Sequence, residues 1–124
     1  MKPLSNVRIL KLIKQRQKNA LEAVGAFIEK EAERICPKDT YNLSASITYA
    51  TVDNVSRVRS PAKQSTAVSK PEDDDAVRIG TKVKYAPYVE YGTYKMSAQP
   101  YLRPAVLDNK KRIKNIFLKM MKKK

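Results

Sequence analysis

The sequence predicts an α+β fold: a long N-terminal helix, a small antiparallel sheet, a short helix, and a C-terminal helix packed on it. Three observations lead there. Apolar residues recur every three or four positions from about Ser5 to Ile35, a helical period. The period drops to two between Ile47 and Arg59 and again between Ala76 and Tyr85. Helical spacing then returns after Pro100 and runs to the end of the chain.

In the first helix the stripe is Val7, Leu10, Ile13, Leu21, Val24, Phe27, Ile28, Ala32 and Ile35, with Ser5 as N-cap. Pro37 ends it by disfavouring helical geometry at Cys36. Such a helix spans about 45 Å, long for a small domain, so part of it is expected to project or to pack on a neighbouring subunit. Lys11, Lys14 and Lys18 precede Glu22, Glu29 and Glu33, an order that opposes the helix dipole. Asp39-Thr40 is read as the cap of a short turn that turns Leu43 and Ile47 inward. Residues 47–59 read as a β-hairpin with Asp53-Asn54 at its turn. Residues 60–75 are polar, contain Pro61 and Pro71, and read as a flexible loop. Ala76–Tyr85 is expected as a strand. Pro87 and Gly92 bracket a short helix over Ala86–Tyr91 that places Tyr85, Tyr88, Val89 and Gly92 on one face. Thr93–Gln99 is a loop. Leu102, Ala105, Val106, Asn109, Ile113, Ile116, Phe117, Met120 and Met121 form the stripe of the last helix.

The 124 residues suit a single domain over 1–124. Lys plus Arg number 26, Asp plus Glu number 12, and the net charge is +14 without any histidine. The missing histidine excludes a Ser-His-Asp triad, a Cys-His dyad and histidine-ligated metal. The single cysteine, Cys36, excludes an internal disulfide and reads as a buried structural thiol. On this inventory an enzyme is not expected, and no apolar run reaches the roughly 20 residues of a membrane span. The leading residues lack a signal-peptide core, and the chain is expected to be made inside the cell. The charge is uneven: the stretch 110–124 holds eight basic residues and no acidic one.

Three features invite a functional reading. The run Glu72-Asp73-Asp74-Asp75 lacks the spacing of a calcium loop and reads as a solvated segment. Tyr85, Tyr88, Tyr91, Tyr94 and Tyr101, interleaved with Lys82, Lys84, Lys95 and Arg103, either stack bases while cations hold phosphates or line a core and an interface. The basic face of Lys110, Lys111, Arg112, Lys114 and Lys119 either contacts nucleic-acid phosphates or an acidic partner, lies on an anionic membrane, or faces solvent while the apolar stripe docks on the domain.

The stretch from Tyr85 to Ala105, YAPYVEYGTYKMSAQPYLRPA, is the most specific in the chain. It resembles the tail-component family of long-tailed double-stranded DNA phages and prophages, also described as tail-completion, neck or head–tail joining proteins. That pattern runs Tyr-Ala, Tyr-Val-Glu-aromatic-Gly-Thr, a Met-containing loop, then Gln or Arg-Pro-aromatic-Leu-Arg-Pro-Ala. Upstream, Cys36–Ile47 resembles the family's Pro-x-x-Thr-Gly-x-Leu-x-x-Ser-Ile turn, with Tyr41 where glycine is usual. The resemblance implies the same α+β fold, no catalysis and no cofactor. It implies a virion protein of the tail or neck, made in the bacterial host cytoplasm, that completes the tail or joins it to the head as a ring of its own copies, six-fold in the family. Its expected partners are itself, the tail-tube protein and head connector proteins, with genome DNA passing near its basic residues and no membrane. Expected assembly contacts are Glu90, Tyr91, Gly92, Thr93, Met96, Gln99, Pro100, Tyr101 and Arg103. The alternative for the loop is that Glu90, Gln99 and Arg103 pin it within one subunit. The alternative function is a small basic nucleic-acid-binding protein.

Overall fold

In a computed structural model of the chain, the helix rich in i, i+4 apolar pairs forms the spine of the molecule. The structure describes residues 6–37, 42–59, 67–73, 75–95 and 97–122. Ser5, Asp39, Thr40, Tyr41, the stretch 60–66, Asp74, Met96, Lys123 and Lys124 lie outside them, as does the side chain of Val7. The order is α1 (Asn6–Ile35), α2 (Asn42–Ser46), β1 (Thr48–Ala50), β2 (Arg78–Gly80), α3 (Ala86–Tyr91), α4 (Leu102–Leu107) and α5 (Lys110–Lys122).

Ala20, Val24, Ile28, Ala32 and Cys36 form an i, i+4 row along α1, and all are buried. Leu43, Ile47, Ala86, Tyr101 and Ala105 close over this row as one core. Burial of each Val- or Ile-sized side chain there contributes about 1.5–3 kcal/mol. The expected stripe on α1 is therefore buried only in its second half. Leu10 is 56% exposed and Ile13 46%, as is their neighbour Leu12 at 51%.

β1 and β2 pair antiparallel, with Thr48 opposite Gly80 and Ala50 opposite Arg78. The ladder of β1 is made with β2, and the expected 47–59 hairpin forms only near its turn. Its turn falls at Thr51–Asn54, where the Thr51 amide donates to the Asn54 carbonyl at 2.7 Å and Thr51 Oγ1 accepts from the Asn54 amide at 3.1 Å. One bridge, Ala50 with Val55, continues it. The Ser56 amide donates to the Tyr49 carbonyl and the Arg59 amide to the Ala45 carbonyl, both at 2.9 Å, and side chains bind the return arm to α1. Ser56 Oγ donates to Glu29 Oε1 at 2.8 Å, and Arg59 meets Glu29 at 3.1 Å and Glu33 at 3.2 Å. The Arg59 guanidinium also donates to the carbonyls of Ser44 and Ile47. Glu22 accepts from Thr51 Oγ1 and Asn54 Nδ2, and Lys18 pairs with Asp53 at 3.2 Å. The acids of α1 that oppose the helix dipole thus face the 51–59 arm.

The expected 76–85 strand shrinks to three residues because Thr81 leaves the ladder. Its hydroxyl sits 2.6 Å from Ser46 Oγ and accepts from the Val83 amide at 3.1 Å. In the expected 60–75 loop, Val68 is buried and its amide donates to Thr48 Oγ1 at 3.0 Å, which ties that part to the sheet.

α3 matches its expected limits. The single C-terminal helix does not: it is split into α4 and α5 by a turn at Asp108-Asn109. Both residues compete for backbone groups, and Asn109 Nδ2 donates to the Ala105 carbonyl at 3.0 Å. Asn109 belongs to this turn, outside the two helices. α5 then runs back along α1, with Arg112 near Glu31 at 4.0 Å and Arg16 near the Met121 carbonyl at 3.5 Å. Ile113, Ile116 and Phe117 pack on the core.

Candidate assembly surface

The Tyr85–Ala105 stretch is built around a buried carboxylate. Glu90 lies on the inward side of α3, 3% exposed. Its Oε1 accepts from the amides of Tyr101 at 3.3 Å and Leu102 at 2.8 Å, and its Oε2 accepts from Arg103 Nε at 3.3 Å. Arg103 also reaches the Glu90 carbonyl at 3.3 Å. The amides at 101 and 102 open α4, where Tyr101 provides no side-chain cap. A carboxylate from another helix fills that role and opposes the positive end of the helix dipole. The Gln99 amide adds a 2.8 Å bond to the Val89 carbonyl.

These bonds fasten both ends of the 92–100 loop to α3. The bonds that the pinning alternative invokes are present within the chain for Glu90, Arg103 and the Gln99 backbone. Tyr101 is wholly buried in the core, with burial pushing its hydroxyl well above the ordinary pKa of 10.0. In the single chain the side chains of Glu90 and Tyr101 are both buried. Gly92 leaves α3 at φ 79° and ψ 174°, a conformation open to glycine alone. Thr93 is exposed and its Oγ1 accepts from the Lys95 amide at 3.2 Å. Pro100 is half-buried and the Gln99 side chain is exposed. Met96 lies outside the described residues.

What this clamp presents outward is aromatic. Tyr85, Tyr88, Tyr91 and Tyr94 are 40, 57, 67 and 93% exposed. Spacing by three puts the first three on one side of α3, opposite Ala86 and Glu90. Arg103 lies over the Tyr91 ring at 4.9 Å and Lys95 over the Tyr94 ring at 5.4 Å. Next to them is an open groove of about 330 Å³, floored by Ala86, Tyr101 and Leu102 and flanked by Lys82 and Lys84.

On α5, Lys110, Lys111, Arg112, Lys114 and Lys119 are all exposed around a docked apolar stripe. That is the arrangement expected of a helix packed on its own domain. Among the described residues no helix is long and apolar enough to cross a membrane, and no group of three or more acidic or cysteine side chains is placed to hold a metal ion. Sequence reasoning missed Arg59 and its α1 carboxylates, which no local spacing marks. It placed Leu10 and Ile13 on the apolar stripe, and they are exposed, in the half of α1 that accords with the expectation that part of the helix projects. The period of three among the tyrosines was visible in the sequence and marks the outward face.

Comparison with curated proteins and with solved structures returned no match. Residues 7–92 match the model of the HK97-gp10-like family, described as "Bacteriophage HK97-gp10, putative tail-component". The match takes in α1, the sheet, α3 and Gly92, the residue at which the loop leaves the clamp. With more than half of its length matched, the chain belongs to the HK97-gp10-like family of phage tail components.

Proposed function

We propose that the chain is a virion protein that completes the phage tail or joins it to the head, and that it works as a ring of its own copies without catalysing a reaction. The observation that carries this reading is the row of exposed tyrosines held on a backbone pinned at both ends. Rigid aromatic side chains lose little entropy on contact and dominate interface energetics. A row of them at a surface marks a contact face. The loop residues Tyr91, Thr93, Gln99 and Arg103 border it, with tail-tube and connector proteins as the partners of this reading. The test is deletion of the gene in a phage that carries it, followed by electron microscopy of the lysate. Unjoined heads and incomplete tails are expected, with rescue by the wild-type chain and none by Tyr88→Ser/Tyr91→Ser/Tyr94→Ser. Normal virions after deletion overturn it.

A second reading, a small nucleic-acid-binding protein, is favoured by one observation: α5 exposes five cations among Lys110–Lys119 and contains no acidic residue. Its test is duplex DNA binding by the isolated chain across a salt series. A steep fall of affinity with salt, lost on substituting those five residues, supports it. Binding no tighter than about 10⁻⁴ M at physiological salt sinks it.

A further inference from the structure

We propose that the tyrosine–lysine face of one copy is occupied by the acidic side chains of Glu72, Asp73 and Asp75 of a second copy. This rests on the ring reading and names its contact.

The two surfaces are complementary. Lys82, Lys84 and Lys95 are exposed and stand in no ion pair among the described residues. Glu90, the acid nearest in the chain to Lys84 and Lys95, is consumed inside the clamp with Arg103. The face is therefore aromatic and cationic without a compensating surface carboxylate of its own. Glu72, Asp73 and Asp75 are likewise exposed and in no ion pair among the described residues. They are the densest acidic stretch of a chain that is otherwise strongly basic.

Their placement suits a second copy. The acidic segment leads into β2 and Lys82–Tyr85 leaves it, so the two lie at opposite ends of one strand. Within one chain β2 lies between them, and among the described residues no acid of this segment pairs with Lys82, Lys84 or Lys95. Successive copies can each offer these acids to the next face, the head-to-tail contact that closes rings. The groove between Lys82, Lys84 and Tyr91, about 330 Å³ with an apolar floor, has room for a few side chains of an entering segment. Opposite charges at its rim then set register and exclude wrong pairings. A nucleic-acid strand fits less well. The Tyr91 and Tyr94 rings already carry Arg103 and Lys95 over one face, where base stacking needs open rings in succession.

The test is sedimentation of the full chain at about 50 mM and about 1 M salt, which changes the screening length severalfold. The variants are Glu72→Lys/Asp73→Lys/Asp75→Lys, Lys82→Glu/Lys84→Glu/Lys95→Glu, and the six changes combined. All six positions are exposed, and circular dichroism checks that each variant folds. Wild type is expected to self-associate at low salt and dissociate at high salt. Each single set is expected to weaken association by about tenfold or more, and the combined chain to regain it. Association unchanged in either single set overturns the contact and leaves the ring reading standing. A wild-type chain monomeric at every concentration also overturns it, while the ring reading is then decided by the micrographs. Single-stranded DNA binding abolished by the lysine changes, in a chain that does not self-associate, assigns the face to nucleic acid and overturns the proposal.

Discussion

Glu90 Oε1 lies 2.8 Å from the backbone nitrogen of Leu102, so a carboxylate on one helix caps the start of another twelve residues on. Three donors converge on that carboxylate, two of them backbone amides next to the core. Replacing Glu90 with alanine leaves those amides without an acceptor. A loss of about 2–4 kcal/mol is expected in urea unfolding. Arg103→Ala is expected to cost about 1 kcal/mol or less, because the guanidinium is half exposed. Equal losses for the two would mean that the ion pair, rather than the cap, holds the loop.

The contrast between α3 and β1 shows what could be read from residues alone. α3 is bounded by local chemistry, Pro87 at its start and Gly92 at its end, and its limits follow directly. β1 takes its ladder partner about thirty residues away, while the nearer candidate, residues 55–59, keeps only a bridge at Val55 and one backbone bond from Ser56 before the carboxylates of α1 take Ser56 and Arg59. No short-range pattern signals that competition. The site divides the same way. The motif covers the segment that carries the exposed tyrosines, and which of its members face outward depends on Glu90 being drawn inward by amides across the loop. Tyr91 and Tyr94 are exposed, and Tyr101 is buried.

Gly25 separates helix propensity from packing. A Cβ there would stand 2.7 Å from Tyr49 Cδ2 and 2.9 Å from Val77 Cγ2. In an open helix the change to alanine gains about 1 kcal/mol. Here it forces α1 away from the sheet, and Gly25→Ala is expected to destabilise by about 1–3 kcal/mol. A higher melting temperature for this variant would show that Tyr49 moves aside freely.

Gly92 is a backbone problem rather than a space problem. At φ 79° with ψ 174°, any side chain is strained. Gly92→Ala is expected to cost about 1–3 kcal/mol and to increase amide exchange in the 92–100 loop without unfolding α1. Uniform loss of protection across the whole chain would contradict a local role.

Tyr101 carries the pH dependence. Its hydroxyl is buried with no hydrogen-bond partner among the described residues. Removing it in Tyr101→Phe relieves an unsatisfied polar group, so the variant is expected to match or exceed wild type, by about 1 kcal/mol at neutral pH. Burial first, then the Cys36, Glu90 and Tyr85 charges, raises the pKa of this phenol above 10.0 in the folded state. Tyr49 is raised in the same direction by burial, then by Glu22 and Glu29. A folded state that holds a proton more tightly than the unfolded chain loses stability as pH rises past the unfolded value. Stability from this source is therefore complete below about pH 10 and falls above it. Tyr101→Phe lacks the Tyr101 share of that fall. Its advantage over wild type in urea unfolding should stay constant from neutral pH to about pH 9 and widen above pH 10. A constant difference across the alkaline range would mean that Tyr101 ionises as readily in the folded chain as in the unfolded one.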